Sequence, residues 1–142
     1  MKILLIAVCF LLFNNTSNAQ TVGVQDTLAY LQQIEANKSH YIGQPFSVLE
    51  NALNVDIKYF FPFADIHSNK FAETSTRFAF YYPASADDTY LTYPSLDIYW
   101  ISPYLNLQES FQLMPIGNFG KYLQIVSSHY ANRIIRNIIV RQ

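Results

Sequence analysis

The sequence predicts an α+β domain in which two N-terminal helices and one late helix pack on one face of an antiparallel sheet of about four strands. Apolar residues recur at helical spacing between residues 27 and 54. Three later segments alternate apolar and polar residues with the period of two that half-buried strands show. The chain closes on residues 134–140, where five of seven residues are Ile or Val. That composition is typical of a strand.

The first helix is predicted over residues 27–37. Asp26 can serve as its N-cap, because a short acidic side chain accepts a hydrogen bond from the first turn. The side that we expect to be buried consists of Leu28, Leu31 and Ile34.

A second, shorter helix is predicted to follow Pro45 and to end near Asn54, since proline suits a first helical turn. Its apolar stripe consists of Phe46, Leu49 and Leu53. Ser47 and Glu50 have the spacing of a capping box, so we expect them to satisfy the first backbone amides of this helix.

The predicted strands cover 55–61, 76–82 and 96–101. We expect their helix-facing side to consist of Val55, Ile57, Tyr59, Phe61, Phe78, Phe80, Tyr82, Leu96, Ile98 and Trp100. Successive strand residues point to opposite faces. The other face is expected to meet solvent, and its charged residues are Asp56, Lys58, Arg77 and Asp97. The connecting segments, predicted to be loops, are 62–75, 84–94 and 102–117, and the last can include short turns of helix.

A late helix is predicted over 119–131, with Asn118 as its cap. One buried face is formed by Phe119, Tyr122, Leu123, Val126 and Tyr130, which follow helical spacing. Residues 134–140 are predicted to form the last strand. A continuous helix is the alternative, because Tyr130, Ile134 and Ile138 also repeat every four residues.

Residues 1–19 are predicted to be a secretory signal peptide. Lys2 precedes the apolar run Ile3–Phe13, and small residues at Ser17 and Ala19 favour cleavage before Gln20. A membrane anchor is the alternative, but it needs about 20 apolar residues. We therefore expect a single domain over 20–142, secreted or periplasmic, with no stable membrane anchor after cleavage.

Composition excludes several classes of chemistry for residues 20–142. The only cysteine is Cys9, so disulfides, cysteine nucleophiles and thiolate metal sites are excluded. A formal net charge of −1 does not favour nucleic-acid binding. His40, His67 and His129 share no motif at ligand spacing, and there is no Gly-x-Ser-x-Gly turn. No metal, cofactor or catalytic residue is therefore assigned.

Aromatic residues are dense between Phe78 and Tyr104. Strand parity places Tyr81 and Tyr99 on the face opposite the core. Tyrosine with neighbouring charge is typical of protein interfaces, so the candidate binding residues are Tyr81, Tyr99, Arg77, Asp56 and Asp97. The sequence favours a non-enzymatic protein that binds an unknown envelope or extracellular protein, as an inhibitor, immunity factor or accessory subunit. A glycan-contacting module that uses exposed tyrosines is the main alternative. A small hydrolase is another, and convergence of His67 with Asp56 or Asp97 would favour it.

Three segments of the chain carry a resemblance to a known group of proteins. They are the signal end at residues 18–20, the segment Tyr41–Ser47 before the short helix, and the closing run Ile134–Arg141. In style and order the chain resembles small exported proteins of unassigned function from Bacteroidota-type bacteria. The resemblance implies export but no activity. The element order also looks like small periplasmic domains in which two helices pack on an antiparallel sheet, from which the late helix departs.

Overall fold

The structure, a computed structural model, describes residues 26–65, 67–81, 93–114 and 120–142. Within these ranges the helices are α1 (Thr27–Ala36), α2 (Phe46–Ala52), α3 (Leu107–Gln112) and α4 (Gln124–Tyr130), and a 3-10 turn covers Lys38–His40. The strands are β1 (Tyr59–Asp65), β2 (Asn69–Ala79), β3 (Ser95–Trp100), β4 (Leu105–Asn106) and β5 (Ile135–Arg141). The predicted signal peptide, Tyr82 and most of the predicted loop 84–94 lie outside the described residues.

The four long strands form an antiparallel sheet in the order β1-β2-β3-β5, and β4 pairs with β2 off this path. Helix and sheet residues share a single apolar cluster, so the helices cover one face of the sheet. The predicted α+β class is confirmed. No helix in the described ranges is long and apolar enough to cross a membrane.

Aromatic rings fill the centre of the core. Phe46 from α2 stacks on Phe78 from β2 with ring centroids 4.6 Å apart. Trp100 from β3 stacks on Tyr130 from α4 at 5.6 Å. Trp100 is only 1% exposed, which confirms that Leu96, Ile98 and Trp100 form the helix-facing side of β3. Large buried rings such as these contribute much of the apolar area that stabilises a domain of this size.

Strand β1 differs from its prediction in both position and facing. It starts at Tyr59 instead of Val55, and Phe60, not Phe61, is the fully buried residue. Val55 and Ile57 pack against the core from the segment before the strand. Pro62 lies inside β1, opposite Thr76. Proline is tolerated there because β1 is an edge strand of the sheet.

Strand β2 begins at Asn69, so the predicted loop 62–75 is wrong: it contains the end of β1 and the first half of β2. The register against β1 advances from Ser75 to Glu73 on β2 while it advances by one residue on β1. Thr74 is therefore the extra residue of a β-bulge. Because of the bulge, Glu73 and Thr76 lie on the same, buried face although they are three residues apart.

Helices α1 and α2 begin where they are predicted to begin, and α2 ends at Ala52, two residues before the predicted end. Asp26 accepts a hydrogen bond from the Ala29 amide at 3.0 Å and caps α1 as predicted. The predicted capping box of α2 is wrong, because Pro45 occupies the cap position and the Glu50 carboxylate bonds to side chains elsewhere. Helix α4 starts at Gln124, later than predicted. Its predicted cap, Asn118, and Phe119 lie outside the described residues.

The segments around α4 settle two further predictions. Residues 135–141 form strand β5, so the strand prediction for the closing run is confirmed and the helical alternative is wrong. The predicted loop 102–117 contains β4 and helix α3.

Candidate functional site

The face of the sheet opposite the helices carries most of the predicted binding residues. Its members, here called the outer face, are Tyr59, Phe61, Phe63, Ser75, Arg77, Asp97, Tyr99, Asn137, Ile139 and Arg141. Strand register places them in rows across the sheet. Arg77 pairs with Asp97, and Asp97 with Ile139. In the next row Ser75 pairs with Tyr99, and Tyr99 with Asn137.

A charge network occupies the middle of the outer face. Arg77 donates to both Asp97 oxygens, from Nε to Oδ1 at 2.6 Å and from Nη2 to Oδ2 at 3.0 Å. Arg141 donates from Nε to Asp97 Oδ2 at 2.9 Å. The hydrogen bond from Arg141 to Asp97 raises the pKa of that guanidinium. Two-point pairing of this kind holds an arginine in a defined geometry.

Asp97 does not meet solvent as predicted, since the residue is only 6% exposed. The two guanidiniums replace its lost hydration, which is the condition for burying a carboxylate without a large penalty. Arg77 is also shielded, with a side chain 16% exposed, whereas the Arg141 side chain is 50% exposed. The network is therefore a fixed support with one accessible cation at its edge.

Two arginines of this region lie against aromatic rings. The Arg77 guanidinium carbon is 5.4 Å from the centre of the Phe63 ring. The guanidinium carbon of Arg136, an exposed residue, is 5.7 Å from the centre of the Tyr99 ring. Both distances fit cation–π contacts. The half-buried Tyr99 ring on β3 is thus covered by a guanidinium from the neighbouring strand β5.

Tyr81 lies apart from this network. It is 38% exposed and follows the end of β2. Its hydroxyl donates to Thr27 Oγ1 at the start of α1, at 2.8 Å, and its ring stacks on Tyr93 with centroids 5.0 Å apart. Tyr81 therefore ties α1 to the end of β2.

Asp56 also lies apart, in the segment before β1. Its side chain is 85% exposed and pairs with Lys58 Nζ at 2.9 Å. The structure thus brings together three of the five predicted binding residues, Arg77, Asp97 and Tyr99. His67 lies in the turn between β1 and β2, where its backbone amide donates to Asp65. Among the described residues, Asp56 pairs with Lys58 and Asp97 with Arg77 and Arg141, and neither is joined to His67 as the hydrolase alternative required.

Asp56 and Lys58 line a cleft of about 410 Å³. Its apolar wall consists of Leu53, Val55 and Ile57, and its other polar groups are Glu50 and Tyr122. The Glu50 carboxylate accepts from Tyr122 Oη at 2.7 Å and from Ser127 Oγ at 3.1 Å. Clefts of this size hold small ligands or single side chains.

A buried polar network that the sequence did not indicate centres on Glu73, which has no exposed surface. Its carboxylate accepts hydrogen bonds from the hydroxyls of Thr76, Ser110 and Tyr130, the last at 2.9 Å. Trp100 Nε1 in turn donates to Thr76 Oγ1 at 2.9 Å. Burial raises the Glu73 pKa against the opposing effect of these donors. Burial is also the main cause of the raised Tyr130 pKa.

The Glu73 network includes a serine and a histidine but lacks the geometry of a hydrolytic triad. Ser110 Oγ lies 3.0 Å from His129 Nε2 and donates its only proton to Glu73. With the Ser110 proton on Glu73, His129 Nε2 donates to Ser110, whereas a general base needs that nitrogen free to accept. Burial, followed by the charge of Arg133, lowers the His129 pKa. Ser110 is fully buried, so it cannot reach a substrate as a nucleophile.

Some of these residues had a signal in the sequence and others had none. Arg136 and Arg141 stand in a C-terminal region that has no acid after Glu109, and strand parity for β5 would have placed Arg141 on the same face as Asp97. Glu73 stands in a polar stretch that matches a loop. Nothing in the chain order links Glu50 to Ser127, which lies 77 residues away.

No family model, curated protein or solved structure matches the chain. Among the described residues, no group of His, Cys, Asp and Glu side chains is placed to hold a metal ion. A functional assignment therefore depends on the side chains of the outer face and the cleft.

Proposed function

We propose that this chain is an exported, non-enzymatic binding protein whose outer face contacts another protein of the cell envelope or exterior. The observation that carries the proposal is the placement of Tyr99. Its ring lies beneath Arg136 and in the row next to the Arg77–Asp97 pair. Tyr and Arg, together with Trp, are enriched among the residues that dominate binding energy at protein interfaces.

The fixed geometry of this region favours binding. The Asp97 carboxylate holds Arg77 and Arg141 by hydrogen bonds, so these side chains have little conformational freedom left to lose when a partner docks. Ordering a long side chain at an interface costs about 0.5–1.5 kcal/mol. A pre-ordered surface avoids part of that cost.

The charge of the region indicates an acidic partner surface. Arg77, Arg136 and Arg141 stand against one carboxylate, Asp97, among the described residues of this region. Arg136 is exposed and the Arg141 side chain is half exposed. Complementary charge speeds encounter and discriminates between partners.

The test is affinity capture from the envelope fraction of the organism, followed by binding measurements with the captured protein. Arg136→Glu should weaken binding by about 30-fold, because it reverses a charge at the proposed contact and removes the cation over Tyr99. Arg133→Glu is the matched control. It makes the same charge change beside His129, on the helix side of the sheet, and should leave affinity unchanged.

Equal loss of binding in both variants would show a general charge effect and contradict a site on the outer face. Unchanged binding in Arg136→Glu would contradict it as well. If wild-type protein captures free glycan in place of protein, the glycan-contacting alternative replaces the present proposal.

A further inference from the structure

The cleft beside α2 is separate from the outer face and has its own chemistry. Glu50 reaches it from α2, and Tyr122 from the segment before α4. Backbone hydrogen bonds fix the remaining wall, since the Tyr122 amide donates to the Lys58 carbonyl and the Lys58 amide donates to Ala79, both at 2.8 Å. The walls therefore belong to the folded core and do not need to form around a ligand.

Two hydroxyl groups orient the Glu50 carboxylate in this cleft. Tyr122 donates to one oxygen and Ser127 to the other. Burial, and then the neighbouring Glu50, raises the Tyr122 pKa, so the phenol stays protonated and keeps donating at neutral pH. Each carboxylate oxygen has a second lone pair. Glu50 can therefore accept a further donor without losing either hydroxyl.

Lys58, a cation that lines the cleft, is already engaged, because it pairs with Asp56 at 2.9 Å. Glu50 forms no ion pair with any described residue; its hydrogen-bonding partners there are the two neutral hydroxyls. Leu53, Val55 and Ile57 supply an apolar wall beside this carboxylate. The combination suits a ligand with a positive head and an aliphatic stem.

We infer that the cleft is a binding site for an aliphatic ammonium group, with the head on Glu50 and the methylene stem along Leu53, Val55 and Ile57. Long basic side chains commonly bury their stems on apolar surface in this way. An alcohol and an ammonium can both donate to the Glu50 carboxylate, but only the ammonium adds attraction between opposite charges, which favours ammonium over alcohol. The group can belong to a free alkylamine or to a lysine side chain of another protein.

The experiment is a titration of the full protein with three small probes, in which binding is monitored through the amide chemical shifts in NMR spectra. The probes are n-pentylamine, Nα-acetyl-lysine-N-methylamide and the uncharged Nα-acetyl-norleucine-N-methylamide. At least one amine should shift the resonances of α2 and residues 55–58, and norleucine should bind at least tenfold more weakly. Tighter binding of the lysine derivative identifies a peptide side chain as the source, and tighter binding of pentylamine identifies a free amine.

Glu50→Gln should weaken amine binding at least tenfold, while Glu109→Gln, which changes an exposed glutamate on α3 in the same way, should leave it unchanged. The inference is overturned if the norleucine derivative binds as tightly as the lysine derivative. It is also overturned if folded Glu50→Gln binds the amines as tightly as wild type does. If Glu50→Gln does not fold, the comparison of charged and uncharged probes on wild-type protein decides alone. Arg136→Glu should bind amines normally, so failure here is distinguishable from failure of the outer-face proposal.

Discussion

At the scale of single residues, Glu73 shows most clearly what sequence reasoning misses. A lone glutamate in a polar segment normally indicates an exposed loop, because charged residues are rarely buried. The bulge at Thr74 instead turns Glu73 into the core, where three hydroxyls and the Trp100–Thr76 hydrogen bond compensate for burial. No buried side-chain nitrogen or oxygen among the described residues lacks a partner. Compensation of this kind depends on residues from four elements and has no local pattern.

The first prediction concerns the pH dependence caused by Glu73. Burial raises its pKa above the usual 4.5. At pH values between 4.5 and the raised pKa, Glu73 therefore keeps a proton in the folded state that it has released in the unfolded state. The free energy of unfolding should therefore fall as pH rises from about 4.5 to the raised pKa, by at most about 1.4 kcal/mol per pH unit. Glu73→Gln cannot titrate and should lack this component.

The measurement is urea unfolding at a series of pH values for wild type and Glu73→Gln. Glu35→Gln, on α1 and outside the Glu73 network, is the control and should follow the wild-type curve. His129 has a lowered pKa and an opposite effect below pH 6.5. Because it contacts Ser110 of the Glu73 network, its own titration is measured by NMR in wild type and Glu73→Gln and subtracted. If the difference in free energy of unfolding between wild type and Glu73→Gln does not vary with pH, the raised pKa of Glu73 is contradicted.

The second prediction concerns Trp100, which is 1% exposed and lies between Phe46, Phe78 and Tyr130. Trp100→Ala should lower the free energy of unfolding by about 3–5 kcal/mol, the usual cost of removing a large buried ring. Trp100→Phe keeps a ring and loses the hydrogen bond to Thr76, so its loss should be smaller. Far-UV circular dichroism during urea unfolding measures both losses. A free energy of unfolding that is unchanged in Trp100→Ala would show that the core is assigned wrongly.

Among the helices and strands, the sequence predicts the kind of element better than its first residue or the face that it buries. The alternation in β3 is clean, and its facing was predicted correctly at Leu96, Ile98 and Trp100. In β1 the run 59–63 is aromatic or proline at every position, so hydrophobicity carries no parity there. The charges at Asp56 and Lys58 then suggested a strand that starts too early and faces the wrong way. The bulge in β2 explains why residues 69–75 looked like a loop.

The third prediction compares the two glycines that have positive φ among the described residues. Gly43 has φ +81° and open space where a Cβ would stand, while Gly120 has φ +77° and the Phe60 carbonyl at that place. Gly43→Ala should cost about 1–2 kcal/mol, the strain of a left-handed non-glycine residue. Gly120→Ala should cost clearly more, because β1 must also move away.

Urea unfolding of the two alanine variants measures this difference. The Phe60 amide donates to the Gly120 carbonyl at 2.9 Å, so a displaced β1 should also change the amide resonance of Phe60 in Gly120→Ala and not in Gly43→Ala. Equal losses of stability in the two variants would show that the edge of β1 is not held against Gly120.

At the scale of the whole molecule, composition and periodicity predict one α+β domain but not which side chains meet. Arg141 reaches Asp97 across 44 residues, and Tyr122 reaches Glu50 across 72. Such contacts follow from strand register and helix position, and a shift of one residue would place them on opposite faces. The sequence therefore indicated Arg77, Asp97 and Tyr99 by parity alone, while it wrongly grouped them with Asp56 and Tyr81.

The fourth prediction tests the outer-face proposal through the two tyrosines that the sequence treated as equivalent. Tyr99 lies on the outer face beneath Arg136, whereas Tyr81 is held to Thr27 and Tyr93. Tyr99→Ser should weaken binding of the captured partner by about 2 kcal/mol or more, about 30-fold, as expected for a residue that dominates an interface. Tyr81→Ser should lower stability and leave affinity nearly unchanged. Isothermal titration of the two purified variants, each shown to be folded by circular dichroism, measures this directly. Wild-type affinity in folded Tyr99→Ser would contradict the account.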